Sequence, residues 1–115
     1  MKIVVSGSKY TTSSVIIEEF IKNLPEDTVI YHGACKGVDT LVGNLAKQRG
    51  LIVKSVYADW NKYGKSAGPI RNRVLLDMEP DIVILFHEDL SNSKGTLDML
   101  SEVKRRHLPY KFYQL

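Results

Sequence analysis

Several absences narrow the reading of this chain before any motif is considered. A single cysteine, Cys35, among 115 residues cannot close an internal disulfide and fits a reducing, cytoplasmic setting. No apolar run approaches the roughly 18 residues that a membrane-spanning helix needs. Met1 to Ser6 carries no signal-peptide pattern, so no membrane association is expected. Excess charge is small, +3 from 16 basic and 13 acidic residues. That leaves room for an anionic ligand but falls short of the load of a duplex-DNA binder, so nucleic acid is a poor candidate for a partner. His32, His87 and His107 stand apart from one another and from other ligating residues, so neither a metal nor a cofactor is expected. There is no Gly-x-Gly-x-x-Gly and no Gly-x-x-x-x-Gly-Lys-Ser/Thr, which removes the standard dinucleotide fingerprint and the P-loop NTPases. Without internal repeats or low-complexity segments, residues 1–115 read as one domain.

What is present is an alternation of short apolar runs and amphipathic stretches. Strands are predicted at 2–6, 28–31, 51–57, 81–86 and 110–113, the fourth (DIVILF) reading as a central parallel strand. The first helix is expected from a cap at Thr11, Thr12 or Ser13 to Leu24, burying Ile16, Ile17, Phe20, Ile21 and Leu24, with Pro25 as its stop. The second runs over 39–49 with Gly50 as a left-handed end, and buries Leu41, Val42, Leu45 and Ala46. A third begins at Pro69 and reaches Met78 with Ile70, Val74, Leu75 and Met78 inward. The last follows Gly95-Thr96, with Leu97, Leu100 and Val103 inward. Five strands alternating with helices define an α/β, Rossmann-like three-layer domain: a five-stranded parallel sheet in the order 3-2-1-4-5, helices on both faces. Residues 58–66 form the longest irregular piece.

In such a sheet ligands bind beyond the carboxyl ends of the strands where the order reverses, here between the first and fourth strands. Three glycine-bearing loops fall there: Gly7-Ser8-Lys9, His32-Gly33 with Lys36-Gly37, and Ser93-Lys94-Gly95-Thr96. Bare amides, hydroxyls and ammonium groups at helix starts suit phosphate, expected on Gly7, Ser8, Gly95 and Thr96. With Pro69 read as the first helical residue, Gly68 lets another group approach, and Arg71 and Arg73 fall in the first turn. Those arginines either share an anion with the helix amides or pair with nearby carboxylates. Trp60 and Tyr63 either stack on a base or anchor a lid. Cys35, with no triad partner in view, reads as a small loop residue.

Taken together, Val5-Ser6-Gly7-Ser8-Lys9, His32 to Asp39, Ala58-Asp59-Trp60 with Tyr63-Gly64-Lys65, Ala67 to Arg73 and Gly95 to Met99 resemble the small single-domain branch of the SLOG superfamily. That branch is related to the "lonely guy" phosphoribohydrolases. His32 to Asp39 also resembles a loop of the DNA-processing protein of bacterial transformation. The resemblance implies a Rossmann-like fold that binds nucleotides or nucleotide-derived ligands, and a tendency to self-associate. Its enzymatic members hydrolyse the N-glycosidic bond of a nucleoside monophosphate with an arginine from Arg-Lys-x-x-Met and a glutamate from Pro-Gly-Gly-x-Gly-Thr-x-x-Glu. Arg71 stands at that arginine, but Asn72 replaces the lysine, Leu75 the methionine and Met99 the glutamate. Asp98 lies one residue early, about 100° around a helix, and Asp59 or Asp39 would have to substitute.

The function expected is binding of a nucleoside phosphate or ADP-ribose-like molecule. The protein would act as a sensor or a signal-sequestering protein of the kind a phage could use against host defence. A nucleotide N-glycosidase is the alternative, with Arg71, Asp98 and Asp59 catalytic, and single-stranded nucleic-acid binding is a third reading. Ligand contacts are expected from Gly7, Ser8, Lys9, His32, Gly33, Lys36, Asp59, Trp60, Tyr63, Gly68, Arg71, Asn72, Ser93, Gly95 and Thr96. An aromatic edge at 110–113 and the resemblance both point to a homodimer or larger assembly.

Overall fold

Residues 1–115 are all described in a computed structural model. Five parallel strands, β1 (Lys2–Gly7), β2 (Val29–His32), β3 (Ile52–Ser55), β4 (Ile82–His87) and β5 (Tyr110–Gln114), pair in the order β3-β2-β1-β4-β5. Successive side chains of a strand point to opposite faces, so β1 sends Ile3 and Val5 one way and Val4 the other. In β4, Ile84 and Phe86 join the first set while Val83 and Leu85 join the second. Helices α1 (Val15–Lys22) and α2 (Val38–Gln48) cover the first face with Ile17, Ile21, Val42 and Ala46. On the other face, α4 (Ala67–Asp77) and α5 (Lys94–Arg105) contribute Leu75, Leu76, Met99 and Val103. Each fully buried aliphatic side chain stabilises by roughly 1.5–3 kcal/mol, so both helical layers are needed to cover so apolar a sheet.

Several local expectations change. Ser14, not residues 11–13, caps α1, its Oγ accepting the N–H of Ile17 at 3.2 Å. Thr11 instead donates to Glu88. Ile16 stays exposed on the shortened helix. Residues 58–66 are not irregular: α3 (Trp60–Tyr63) and a 3-10 turn at Gly64–Ser66 lead directly into α4. Starting at Ala67 places Pro69 third in α4, where its missing N–H still falls among the amides that have no acceptor within the helix. Arg71 and Arg73 therefore lie in the second turn. The buried stripe of α4 is Ala67, Arg71, Asn72, Leu75 and Leu76, while Val74 faces outward. On α5, Met99 and Val103 turn inward and Leu97 outward. Gly50 does end α2 in left-handed backbone, with φ +85°. Gly37 (φ +78°) lies so close to the backbone of Ser8 and Lys9 that a Cβ has no room, and this contact joins the first and second loops.

Candidate functional site

A cleft of about 950 Å³ opens beyond the carboxyl ends of β1 and β4, where the strand order reverses. Gly7 closes its floor against Phe86, whose carbonyl oxygen a Cβ would strike. Of the residues expected to hold ligand, Gly7, Lys9, Trp60, Gly68, Arg71, Asn72, Ser93, Gly95 and Thr96 line it, as does Asp98, expected as a catalytic residue.

The start of α5 supplies donors. Ser93 caps the helix, its Oγ taking the N–H of Thr96 at 3.2 Å. That removes the Thr96 amide as a ligand contact, but leaves the amides of Lys94 and Gly95 without a protein partner. The Thr96 hydroxyl also makes no hydrogen bond inside the protein, and Thr96 lines the cleft.

Arg71 is the centre of the opposite wall. Its side chain is buried; Nη1 donates to the carbonyl of Gly33 (2.7 Å) and to Cys35 Sγ (3.4 Å), and Nε to Asn72 Oδ1 (3.1 Å). Nη2 is left free. Asn72 passes the connection on, its Nδ2 donating to Asp98 Oδ2 at 2.9 Å. Asp98 thus lines the cleft, while Met99, at the position of the related enzymes' glutamate, is core. Gly33 does not line the cleft. It makes room for the arginine: a Cβ there would lie 2.5 Å from Nη1.

Other expected contacts are occupied elsewhere. Ser8 is fully buried, its hydroxyl donating to Glu88 and accepting the N–H of Tyr10. His32 accepts the N–H of Ala34 through Nδ1 at 2.9 Å and packs against Gly43. Burial, with Lys47 and Arg71 nearby, holds its pKa below the ordinary value. Asp59 caps α3 by accepting the N–H of Lys62 at 3.1 Å, away from the cleft. Lys36 and Tyr63 are exposed and also lie outside it. Trp60 stands 58% exposed at the cleft wall, its ring edge 3.4 Å from where a Gly68 Cβ would be.

Sequence reasoning missed His87 and Glu88 and weighed Asp39 only as a catalytic substitute. His87 ends β4 with Nδ1 accepting the N–H of Asp89 at 2.8 Å. In the neutral ring that leaves Nε2 as the protonated nitrogen, with no protein partner. Glu88 accepts from the Ser8 and Thr11 hydroxyls, which hold its carboxyl below the usual range. Across the cleft, Lys9, Lys65, Arg71 and Lys94 are balanced by Asp39, Glu88, Asp89 and Asp98. The only advance signal was position: His87 and Glu88 directly follow the most apolar strand.

Fold and site together define a Rossmann-like α/β protein with a polar cleft at the topological switch point. Residues 1–63 match the YAcAr family, described as the YspA, cpYpsA-related SLOG family, and the chain belongs to that family. It is similar to the Gene 61 protein of Mycobacterium phage D29, 26% identical over 117 residues that cover 94% of this chain and 92% of that protein. Its fold is shared by DNA processing protein A (DprA) from Streptococcus pneumoniae, with a TM-score of 0.60 and 20% identity over 96% of this chain. The chain spans 58% of the DprA structure. No helix is long and apolar enough to cross a membrane.

Proposed function

We infer that residues 1–115 act as one domain that binds a phosphorylated nucleoside or ADP-ribose-like molecule in this cleft. One observation carries the reading: the free amides of Lys94 and Gly95 and the free Nη2 of Arg71 share a cleft with the exposed ring of Trp60. Phosphate suits the first groups and a base suits the ring. The volume, about 950 Å³, is ample for such a ligand. The same reading extends to sequestering or sensing a nucleotide signal; the phage-borne relative bears only on the setting in which such a protein occurs, not on its ligand.

The test is native mass spectrometry of the protein as purified, followed by calorimetric titration with nucleoside monophosphates and ADP-ribose. Saturable binding that is lost in Arg71→Ala is expected; no binding by any of them overturns the reading. The expectation that nucleic acid is a poor partner gains no support from a fold neighbour named for DNA processing. Oligonucleotides therefore belong in the same titration, and a steep salt dependence would move the reading to single strands.

A second reading, N-glycosidic hydrolysis, is favoured by Asp98, whose Oδ2 is fixed by Asn72 in the cleft. Release of free base on the order of 1 per second, abolished by Asp98→Asn, would establish it. Self-association through β5 stays a proposal. Tyr113 turns inward onto Phe20 and Phe86 and Lys111 lies over its ring, so that edge is less bare than composition suggests. Light scattering at micromolar concentration decides between monomer and dimer.

A further inference from the structure

We propose that Asp39 reads a sugar hydroxyl, so that the cleft takes ribose phosphates in preference to deoxyribose phosphates. The proposal rests on the nucleotide reading above. Asp39 lies in the first turn of α2 and is only 6% exposed. Its Oδ2 accepts the N–H groups of Gly33 (3.1 Å) and Cys35 (3.2 Å), which fix the loop after β2. Its Oδ1 accepts nothing, although the side chain lines the cleft. Burial pushes the carboxyl up to about 6 in spite of those two amides and the nearby Arg71. Oδ2 is thus committed to the loop, while Oδ1 stays open to the cleft.

Arg71 is the obvious partner, yet no ion pair joins the two. Gly33 stands between them, its N–H held by Asp39 and its carbonyl by Arg71. A buried acid and a buried base are thus kept apart on one wall, with Oδ1 of the first and Nη2 of the second both free. A carboxylate oxygen only accepts and a guanidinium only donates, whereas a hydroxyl does both. Sugar hydroxyls therefore match this pair of atoms. The charge balance of the cleft agrees. A polyanion would meet four carboxyl groups as well as four cations, whereas a molecule with one phosphate end and a hydroxyl-bearing body uses both signs.

The experiment titrates the full chain with ribonucleoside 5′-monophosphates, their 2′-deoxy and 3′-deoxy counterparts, and ribose 5-phosphate. One of the two deoxygenations is expected to weaken binding by about tenfold to a hundredfold, as for a hydrogen bond to a charged group. Ribose 5-phosphate should still bind. In Asp39→Asn the difference should shrink to about fivefold or less, because the charged acceptor for the hydroxyl proton is gone and only a neutral contact can remain. Asparagine keeps one oxygen for the Gly33 and Cys35 amides, and the deoxy comparison on the unaltered chain needs no variant at all. Equal affinity for ribo and both deoxy forms overturns the role of Asp39 and leaves nucleotide binding standing. Full binding of deoxynucleotides with none of ribose 5-phosphate also overturns it, by showing that the wall reads a base. Binding of no probe overturns both readings.

Discussion

The two ends of the α4–α5 layer treat buried charge in opposite ways. Near the C-terminal end of α5, Glu102 is buried with each oxygen engaged: Arg105 and Arg106 donate to it, and Arg73 approaches at 3.9 Å. Arg106 also reaches Asp77 on α4 at 2.7 Å, so the cluster closes on itself. At the N-terminal end, around the cleft, Asp39 Oδ1, Arg71 Nη2, His87 Nε2 and the Thr96 hydroxyl have no partners. A cluster that only joins helices saturates its hydrogen bonds, because each open one costs stability. The one fully buried side-chain polar atom without a partner, Thr28 Oγ1, lies away from the cleft, whereas the open groups around the cleft keep access to solvent and so to a ligand.

The substitution expected to damage the open end most is Gly7→Ala. Its Cβ would lie 2.1 Å from the backbone carbonyl oxygen of Phe86, which cannot swing aside as a side chain can, so overpacking should cost about 3 kcal/mol of stability. Nucleotide affinity should fall with it; denaturant unfolding beside calorimetry reads both, and unchanged values would show that the backbone there yields freely. Arg71→Ala comes next. Loss of the charged contacts should weaken nucleotide binding by about 2–3 kcal/mol. Because Gly33 and Asn72 lose a donor, stability should fall as well. Trp60→Ala, at a 58% exposed position, should weaken binding by about 1–3 kcal/mol and leave the melting temperature nearly unchanged. If affinity survives, the ring is a lid anchor rather than a stacking surface.

Acid titration separates the two ends without any ligand. Three arginines hold the Glu102 carboxyl down at about 2, so its contribution is present above its ordinary value and is lost as pH falls toward 2. Asp39 runs the other way. With its pKa raised from 3.8 to about 6, its contribution is present at low pH and is lost as pH rises through 6. Urea midpoints between pH 2 and 7 should show both slopes. Asp39→Asn should remove the upper one and Glu102→Gln the lower one; a single slope untouched by either would break the contrast. The smallest effect belongs to Asp59→Ala, which removes the cap of α3 and should cost about 1 kcal/mol or less without altering nucleotide binding.

Much of this was legible because periodicity encodes burial. Uninterrupted apolar runs at 3–5 and 82–86 can be buried on both faces only in a sheet covered by two helical layers, and the strand order follows from right-handed crossovers. The apolar stripes of α1 and α2 were equally plain. The stripe of α4 was not, since a pattern read from hydrophobicity cannot anticipate that Arg71 and Asn72 are the buried pair. Loop glycines likewise marked where the chain turns, but not that Gly33 serves the arginine instead of a ligand.

By itself, then, the sequence determined the α/β order, the sheet and the end of it where a site would lie, since spacing of apolar residues and turn chemistry are local properties. Tertiary structure decided which polar groups remain unpaired. Ser8 and Glu88 are 80 positions apart and satisfy each other, as do Arg71 and the Gly33 carbonyl, 38 apart. Asp39 Oδ1 is left open for the same reason: its one charged neighbour is already held by Gly33 and Asn72. Hydrogen-bond valence is filled by whatever lies within about 3 Å, and for these residues only the folded chain sets what that is.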